Sequence, residues 1–341
     1  MTEINFGIIG CGLIGGFHAR AIGLIPGAKL LGVFDNSASA RESFGAEHGV
    51  RAYDSYDGLL KSGIDAVCLC TPSGLHREQA VAAAEAGVHV VVEKPMAINI
   101  AEAEAVIGAC EKNNIKLTVI SQLRFTCAVK RVRRAVGENR LGRLVHGSAQ
   151  MKYYRSPEYY SRSAWRGTWA LDGGGALMNQ GIHGVDLLQH IMGPVRSVFG
   201  MTKTLARDIE VEDTAVAALE FANGALGVIE GTTCVYPGFS RILSFSGDKG
   251  SIVLEEDSII KWEIENEKTP PDIGTAEGKM HSFNDPAAIC LDYHVEQLSD
   301  MVNAIRSGGR PAVDQYEGLK AVKIICAIYE SSRSGEPFLL S

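Results

Sequence analysis

The first third of the chain alternates short, continuous apolar runs with stretches whose apolar residues recur at helical spacing. Continuous runs rich in Val, Ile, Leu and Cys are typical of strands that are covered on both faces. Regular alternation of such strands with helices indicates a parallel sheet with right-handed crossovers. We therefore predict an α/β N-terminal domain over residues 1–123, a Rossmann fold with a doubly wound parallel sheet. Its predicted strands are 4–9, 30–34, 66–70, 88–92 and 117–120, and its predicted helices are about 13–23, 37–47, 75–86 and 101–113.

The pattern changes beyond this domain. A helical stretch at about 126–138 is followed by a polar, aromatic segment, a glycine-rich turn and one long apolar helix at about 176–192. Strand-like stretches lie close together and are separated by turn signals such as Ala222-Asn223-Gly224, a spacing typical of antiparallel hairpins. They are predicted at about 144–153, 196–206, 213–221, 225–233, 240–246, 250–255 and 259–264.

Residues 124–341 are therefore predicted to form an α+β domain with a mostly antiparallel sheet. An irregular stretch begins at Pro270-Pro271 and runs to about Pro286. Two helices, at about 288–307 and 315–334, close the chain, and both are candidates to pack back on the first domain.

Length and charge narrow the classes of function. A chain of 341 residues suits two domains, each able to bury its own core. Its 33 Lys and Arg against 40 Asp and Glu give a net charge of -7, with no long block of one sign, which argues against nucleic acid and anionic membrane as partners. We see no signal peptide and no apolar run near the roughly 20 residues that span a bilayer. We expect a cytoplasmic protein with a small soluble substrate.

The eight cysteines are scattered and mostly lie inside apolar stretches. Cys68 and Cys70 would share one face of a strand, but no second Cys or His pair at metal spacing accompanies them. We predict buried free thiols and no metal site.

A glycine-rich turn follows the first predicted strand directly and opens a helix. In such a turn the first glycine permits the sharp bend, the second lets the backbone approach a pyrophosphate, and the third lets helix and strand pack closely. The helix N-terminus adds N–H groups and a dipole that favour phosphate. The turn predicts a dinucleotide site formed by Gly10, Cys11, Gly12, Leu13, Ile14 and Gly15.

An acidic residue ends the second predicted strand. Asp35, followed by Asn36, lies roughly twenty residues after the glycine turn, where a carboxylate accepts hydrogen bonds from the adenosine ribose. Its charge would repel a 2′-phosphate, and no Arg or Lys follows before Arg41. NAD is therefore favoured over NADP as the cofactor.

Two further strand ends are expected at the same edge of the sheet, because ligands of open parallel sheets bind at the carboxyl ends of the strands. One continues as Thr71-Pro72-Ser73, and His76 there suits either a helix start or a ligand contact. The other is Glu93-Lys94-Pro95. A lysine partly removed from water has a lowered pKa and can exchange a proton with a substrate hydroxyl, although surface lysines at strand ends are also common.

Four polar residues form a narrow stripe on the long apolar helix after Gly173-Gly174-Gly175. They carry short amide, imidazole and carboxylate groups, which suits a polar seam facing a cleft better than a solvated face. The stripe consists of Asn179, His183, Asp186 and His190. His183 is then a candidate proton acceptor, since an imidazole titrates near neutral pH. A zinc site on this stripe is disfavoured, because only His183 lies near the helix opening.

An aromatic segment precedes this helix and is a candidate to contact sugar. Tyr154, Trp165 and Arg166 belong to it. Aromatic faces suit the C–H side of a sugar ring, and guanidinium groups suit hydroxyls, carboxylates or phosphates. A protein–protein surface is the alternative for the tyrosines.

These motifs in this order resemble the glucose-fructose oxidoreductase, inositol dehydrogenase and MocA family over essentially the whole chain. The resemblance rests on the glycine turn, Glu93-Lys94-Pro95, Gln122-Leu123-Arg124-Phe125, and Gly173-Gly174-Gly175 leading to His183 and Asp186. It implies a Rossmann domain joined to a domain with a large open sheet that serves oligomer contacts, in homodimers or homotetramers. It also implies NAD(P)-linked oxidation or reduction of a carbinol in sugars, inositols or related polyols, with Lys94 catalytic and His183 at the family's histidine position.

Asn179 departs from the family, in which an aspartate is frequent four residues before the histidine. An amide can bind a substrate hydroxyl but lends no negative charge to Lys94, so we predict a lower lysine pKa than in relatives with aspartate. Members that oxidise C3 of a pyranoside or nucleotide sugar look similar at this position, which favours a glycoside C3 substrate over inositol.

Four functions therefore stay open: a sugar or polyol dehydrogenase, which we favour; an inositol 2-dehydrogenase; an NAD-dependent glycosidase that oxidises transiently and eliminates; and a non-catalytic sensor of NAD or sugar. The predicted catalytic residues are Lys94 and His183. The predicted cofactor residues are Gly10, Cys11, Gly12, Leu13, Ile14, Gly15, Asp35, Asn36, Thr71, Pro72, Ser73, His76, Glu93, Lys94, Gln122, Trp165 and Arg166. The predicted substrate residues are Lys94, Arg124, Tyr154, Arg166, Asn179 and His183.

Overall fold

The structure, a computed structural model, describes residues 3–270 and 290–340 and divides the chain into two compact units. The first unit consists of Met1–Gln122 and Cys290–Leu319, and the second of Leu123–Ile289 and Lys320–Ser341. The chain thus returns to the first unit for residues 290–319, which the apolar pattern assigns to the second domain.

Helices and strands are numbered in chain order. The helices are α1 (Leu13–Gly23), α2 (Ala38–His48), α3 (Tyr56–Leu60), α4 (His76–Glu85), α5 (Ile100–Lys112), α6 (Cys127–Gly137), α7 (Pro157–Ser161), α8 (Ile182–Met192), α9 (Leu291–Ser307) and α10 (Gln315–Ser334). The strands are β1 (Ile4–Ile9), β2 (Ala28–Phe34), β3 (Arg51–Ala52), β4 (Ala66–Leu69), β5 (His89–Val92), β6 (Leu117–Val119), β7 (Leu144–Lys152), β8 (Val195–Lys203), β9 (Thr214–Phe221), β10 (Leu226–Thr232), β11 (Ile242–Gly247), β12 (Gly250–Glu255), β13 (Ser258–Ile264) and β14 (Phe338–Leu339).

The first unit contains a six-stranded parallel sheet in the order β3-β2-β1-β4-β5-β6. This order places the topological switch between β1 and β4, where a doubly wound sheet opens a ligand crevice at its carboxyl edge. The predicted Rossmann fold is confirmed. Two short elements, β3 and α3, are absent from the prediction, because a strand of two residues leaves no apolar run to detect.

The helix α9 belongs to the core of the first unit. Its side chains Leu298, Met301 and Val302 are buried in one hydrophobic cluster with Phe6 of β1 and Ile22 of α1. This apolar face of α9 explains why residues 290–319 leave the second unit.

The second unit is built on an eight-stranded sheet in the order β13-β12-β11-β7-β10-β9-β8-β14. Only β7 and β10 pair in parallel, so the predicted α+β architecture with a mostly antiparallel sheet is confirmed. Alternate residues of each strand enter a core shared with α8 and α10, as Leu219, Phe245, Leu188 and Ile325 illustrate.

The other face of this sheet exposes large apolar side chains. Phe199 and Met201 of β8 are 45% and 59% exposed, and Val216 of β9 is 47% exposed. Met201 and Val216 are register partners, so these side chains form one continuous apolar strip. We call Phe199, Met201 and Val216 the sheet strip.

Three further predictions concern the irregular stretch, the cysteines and the absence of a membrane span. The predicted irregular stretch to Pro286 lies outside the described residues after Pro270, as does the predicted helix start at 288. The cysteines are free, but only Cys68 and Cys110 are buried and Cys127 is exposed, so the expectation of buried thiols was wrong in part. Within the described ranges, no helix is both long and apolar enough to cross a membrane.

Candidate functional site

The glycine turn after β1 is shaped by the backbone around it. Gly10 has φ +95°, and a Cβ there would lie 2.5 Å from the Cys70 carbonyl oxygen. A Cβ on Gly15 would lie 2.2 Å from the Gly10 carbonyl oxygen, so any side chain would push α1 off the strand. At Gly12, by contrast, nothing of the protein lies within 4 Å of the added Cβ. The space beside Gly12 therefore suits a ligand that approaches the backbone.

The start of α1 provides the chemistry for an anion. Its N-cap, Gly12, has no side chain to accept from the first N–H groups, and the first turn carries no acidic residue. Such a helix end presents N–H donors and a positive dipole end to phosphate. The turn therefore fits the pyrophosphate of a dinucleotide.

Asp35 lies directly after β2 and is held beside the glycine turn. Its Oδ2 accepts from the Cys11 N–H at 2.9 Å, and its Oδ1 accepts from the Ser37 N–H at 2.9 Å. The Arg41 side chain comes within 3.4 Å of the Asp35 carbonyl oxygen and pairs with Asp54 at 2.9 Å. The carboxylate thus connects the end of β2, where the sequence predicts the adenosine ribose, to the glycine turn after β1. Asn36 is exposed.

The predicted cofactor residue His76 is fully buried at the start of α4. Its Nδ1 lies 2.8 Å from the Pro95 carbonyl oxygen, and its Nε2 lies 3.0 Å from the Thr71 carbonyl oxygen. Burial lowers the pKa of this imidazole. The ring ties the loop after β4 to the loop after β5, and Ser73 between them is also buried.

Glu93, the first residue after β5, belongs to a buried cluster of charged side chains. Its Oε1 lies 2.8 Å from Nε2 of His18 on α1, and His294 of α9 completes the group. One ligand atom from each lies within 4.8 Å of the others. His18 and His294 are 0% and 1% exposed, so the group is closed to bulk water.

The protonation states of this cluster follow from its geometry. Burial by itself would raise the pKa of Glu93, but the hydrogen bond and charge of His18 outweigh it and lower the pKa to about 2. Burial and the charge of His18 lower the pKa of His294 to about 4. The cluster at neutral pH is therefore an ion pair between His18 and Glu93 beside a neutral His294.

Lys94 is half-buried and follows Glu93 at the carboxyl edge of the sheet. The second carboxylate oxygen of Glu93 accepts from the Lys94 backbone N–H at 3.3 Å. The buried ion pair thus holds the backbone that carries the predicted catalytic lysine. Gln122 is the last residue of the first segment of this unit, is 7% exposed, and its Oε1 meets no donor among the residues that the structure describes.

In the second unit, the glycines before the polar stripe are required by close packing. A Cβ on Gly175 would lie 2.0 Å from the Glu212 carbonyl oxygen, and one on Gly174 would lie 2.2 Å from the Tyr329 hydroxyl. The helix that follows begins as a π-helical turn, Ala176–Gly181, before α8. The single regular helix predicted at 176–192 was wrong in this respect. Turns of this kind are rare and frequently occur at functional sites.

Asn179 projects from the π-helical turn and is half-buried. Its Nδ2 donates to Oδ1 of Asp172, whose Oδ2 accepts from the Gly167 N–H at 2.9 Å. Because a carboxylate only accepts, the Asn179 oxygen must face away from Asp172. That oxygen accepts from Gln180 Nε2 at 3.2 Å.

The other three residues of the polar stripe differ in how deeply they are buried. His183 and His190 are half-buried on α8, whereas Asp186 is 3% exposed. Asp186 accepts two hydrogen bonds from Arg124, at 2.7 Å from Nε and 2.5 Å from Nη2. This guanidinium, a predicted substrate contact, is itself 7% exposed and bound by a carboxylate of its own unit.

The predicted aromatic segment forms a cluster with arginines. The Arg166 guanidinium lies 4.2 Å from the ring centre of Tyr159 and 5.3 Å from that of Trp165. The Tyr159 hydroxyl accepts from Gln180 Nε2 at 2.9 Å, and Gln180 Oε1 accepts from Arg155 Nε at 3.0 Å. Gln180 thus connects this cluster to Asn179.

Tyr154 lies at the far side of the same cluster. Its ring is edge-on to Tyr236 at 5.2 Å and is covered by the Arg207 guanidinium at 5.2 Å. Within the described residues, Arg207 Nη2 and Arg166 Nε are buried atoms without a hydrogen-bond partner. Buried cationic nitrogens that lack a hydrogen-bond acceptor suit an anionic or hydroxyl-rich ligand.

Each unit thus gathers its own set of predicted residues. The first contains the glycine turn, Asp35, Thr71 to His76, Glu93, Lys94 and Gln122, and the second contains Arg124, Tyr154, Trp165, Arg166, Asn179 and His183. The prediction missed Asp172, Gln180, Glu212 and His18. Only His18 left a signal, a histidine three residues after Gly15 on an otherwise apolar helix face.

Two protein families match the chain. The family described as an oxidoreductase family with an NAD-binding Rossmann fold matches residues 4–121, and the GFO/IDH/MocA C-terminal domain matches residues 129–253. Together these matches follow the division of the chain into two units.

Solved structures and curated relatives agree with these matches. The WlbA dehydrogenase from Bordetella pertussis, solved with NADH and UDP-GlcNAcA, is 35% identical with TM-score 0.90, over 100% of this chain and 98% of that one. The WlbA dehydrogenase from Chromobacterium violaceum, solved with the same two ligands, is 34% identical with TM-score 0.90, over 100% and 97%. Myo-inositol 2-dehydrogenase from Thermotoga maritima is 27% identical over 94% of this chain and 93% of its own.

Proposed function

The chain belongs to the GFO/IDH/MocA family of NAD-binding oxidoreductases that act on sugars and polyols, and we propose that it oxidises a ring hydroxyl of an acidic nucleotide sugar. The observation that carries this proposal is the full-length likeness, at 35% identity, to a dehydrogenase bound to NADH and UDP-GlcNAcA. C3 of the pyranose is the proposed position, on account of Asn179.

NAD is the cofactor, and when bound it accepts the hydride from the carbinol carbon. The residues present fit this group, because Gly12 leaves space beside the backbone and α1 offers uncapped N–H donors. Asp35 would accept from the ribose hydroxyls and repel a 2′-phosphate. Each of these features is formed within the first unit alone.

Loss of hydride from a carbinol also requires loss of the one hydroxyl proton, and we assign its acceptance to a ring nitrogen of His183, while Lys94 donates a hydrogen bond to the carbinol oxygen. Both side chains are half-buried, and a neutral imidazole offers the accepting nitrogen. Asn179 would orient the substrate through its amide oxygen, because the Asp172 carboxylate holds the amide nitrogen. The negative charge that relatives often have at this position would be supplied here by Asp172.

The arginine and aromatic cluster supports an acidic substrate. Arg166 stacks on Tyr159, Arg207 stacks on Tyr154, and both retain a buried nitrogen without a partner among the described residues. A carboxylate or phosphate would complete such nitrogens with charge-assisted hydrogen bonds. A neutral polyol such as inositol would form weaker hydrogen bonds with these nitrogens.

The sheet strip supports a homo-oligomer. Phe199, Met201 and Val216 expose a continuous apolar surface that association with a second copy would remove from water. We propose that the chain forms a homodimer or homotetramer through this face of the sheet.

The test is the rate of NADH formation across a matched substrate panel. We expect UDP-GlcNAcA to give a kcat/KM at least about tenfold above that of UDP-GlcNAc, which carries a hydroxymethyl group in place of the carboxylate, since a hydrogen bond to a charged group contributes about 1.5–3 kcal/mol. A higher rate with myo-inositol would instead identify an inositol dehydrogenase. Release of nitrophenol from a nitrophenyl glycoside without net NADH would identify a glycosidase, and failure of the whole panel would favour a sensor.

A further inference from the structure

A buried carboxylate of the second unit holds the beginning of the segment that carries Asn179 and His183. Glu212 is 3% exposed and precedes β9. Its Oε2 accepts from the Gly175 N–H at 2.9 Å, and its Oε1 accepts from the Leu177 N–H at 2.8 Å and from the Tyr329 hydroxyl at 2.8 Å. Its carbonyl oxygen accepts from the Ala176 N–H at 2.9 Å. Glu212 therefore binds the N-cap residue and the first two residues of the π-helical turn.

This arrangement does what a helix cap does, but from a residue remote in sequence. Gly175, the N-cap of the π-helical turn, has no side chain with which to accept from the N–H groups. The absence of a side chain at Gly174 and Gly175 is what allows Tyr329 and Glu212 to come so close. The glycine-rich turn thus makes this contact sterically possible.

We propose that Glu212, in its ionised form, is a positioning residue that fixes the segment carrying Asn179 and His183 in the geometry needed for hydride and proton transfer. The inference rests on the proposed function, because it assigns those two residues to the reaction. A carboxylate accepts from all three donors, whereas a protonated acid must turn one oxygen into a donor. The Tyr329 hydroxyl can turn and accept that proton, so protonation acts on the N–H groups of Gly175 and Leu177, whose hydrogen bonds to a neutral acid are weaker than those to a carboxylate.

The ionisation of Glu212 falls in the working range of an enzyme. Burial raises the pKa of this carboxyl to about 7, against the hydrogen bonds from Leu177, Gly175 and Tyr329 that lower it. Burial, and then the charge of Glu212, raise the pKa of Tyr329 well above its ordinary value, so the tyrosine stays a donor. The neighbouring titratable groups are Cys326, on α10 with Tyr329, and Asp213, whose carboxylate accepts from Leu205, Ala206 and Arg207 N–H groups.

The experiment compares the pH dependence of kcat in the wild type, Glu212→Gln and Tyr329→Phe with the sugar substrate. We expect kcat of the wild type to fall below an apparent pKa near 7. Glu212→Gln should lower kcat at pH 8 by about ten- to a hundredfold, as small misplacements of catalytic groups do, and should remove the contribution of Glu212 to this limb, so that only the proton acceptor His183 still shapes it. Tyr329→Phe removes one donor to the carboxylate, so the limb should move to higher pH.

A purely structural role would lower kcat or stability without changing the limb in Glu212→Gln and without moving it to higher pH in Tyr329→Phe. Glu220→Gln, which neutralises a carboxylate on β9, is the matched control and should leave both kcat and the limb unchanged. An acid limb that stays at the same pH in Glu212→Gln, with kcat within about twofold, would overturn the proposal. If Glu212→Gln does not fold, the test rests on Tyr329→Phe. An acid limb at the wild-type pH in Tyr329→Phe would overturn the proposal equally.

Failure of the proposed function gives a different result. If the wild type oxidises no sugar of the panel, amide hydrogen exchange of residues 175–183 tests the positioning directly. Exchange in Glu212→Gln, compared with Glu220→Gln at pH 8, should be at least about tenfold faster, and equal exchange would overturn the role of Glu212 independently of activity.

Discussion

Arg124 holds the carboxylate of Asp186 by two hydrogen bonds, from Nε at 2.7 Å and from Nη2 at 2.5 Å, and both side chains are at least nine-tenths buried. The two residues join the segment before α6 to the middle of α8, the helix on which His183 lies. A buried bidentate pair of this kind fixes the two elements relative to each other. Arg124 thus resembles a positioning residue more than a substrate contact.

Arg124→Gln should therefore cost stability. Removing one partner of a buried pair leaves the other charge buried, which costs about 3–5 kcal/mol of unfolding free energy. Urea unfolding measures this, with exposed Arg133→Gln on α6 as the control, expected within about 0.5 kcal/mol of the wild type. A stable Arg124→Gln with a raised KM would show that Arg124 binds substrate instead.

Loss of the proton-handling groups should abolish turnover while leaving the cofactor bound. We expect Lys94→Met and His183→Ala each to lower kcat by about a hundred- to ten-thousandfold, the usual contribution of a general acid or base. NADH affinity, measured by fluorescence titration, should change less than about threefold in His183→Ala, because His183 is not among the predicted cofactor residues. Lys112→Met, on the exposed last turn of α5, should keep normal turnover. Near-normal kcat in either test variant would remove that residue from the mechanism.

The contact between Asn179 and Asp172 allows the position of the negative charge to be tested. Asn179→Asp would place two carboxylates in contact, and because both cannot be ionised there, the pKa of one is raised. We expect kcat at neutral pH to fall about tenfold or more. The double variant Asn179→Asp with Asp172→Asn restores one carboxylate and one amide, and should recover most of this loss. No recovery in the double variant would mean that the charge must lie at Asp172.

Cofactor preference should depend on Asp35. In Asp35→Ser the charge that repels a 2′-phosphate is removed, while the Arg41 side chain, which reaches the carbonyl oxygen of residue 35, remains. The ratio of kcat/KM for NAD to that for NADP should fall by at least about tenfold. Asp54→Ser releases Arg41 from its ion pair but keeps Asp35, so its ratio should equal that of the wild type. An unchanged ratio in Asp35→Ser would contradict the role of this carboxylate.

The pair of His18 and Glu93 predicts an acid-sensitive fold. The pKa of Glu93 is lowered from 4.5 to about 2, so its ionisation stabilises the native state above about pH 4.5, and this stability is lost as the pH falls towards 2. His18→Asn should destabilise the protein at pH 6 by about 3–5 kcal/mol and flatten this acid dependence. The double variant with Glu93→Gln, which leaves no buried charge, should be more stable than His18→Asn. Equal stability of His18→Asn and wild type would refute the ion pair.

Most of the first unit could be predicted from the sequence, because its rules are local. Continuous apolar runs, the spacing of Gly10, Gly12 and Gly15, and an acid at the end of the second strand each act through the nearest backbone. The α+β class of the second unit could also be predicted, because alternating apolar and polar residues indicate strands. The order of these strands in the sheet could not, because β7 pairs with β10 and β11, far along the chain. The π-helical turn was missed for the same reason, since it depends on a contact with Glu212.

The sequence by itself determined that the chain has a Rossmann unit with an NAD site, since periodicity and glycine spacing specify backbone shape within a few residues. It also predicted which residues handle the proton, Lys94 and His183. Only the tertiary structure decided which buried partners hold the segments that carry these residues. Arg124 and Asp186 are 62 positions apart, His18 and Glu93 are 75 apart, and Glu212 and Gly175 are 37 apart. Burial makes such partners specific, because a charge removed from water must meet its complement, and no local pattern records which one it meets.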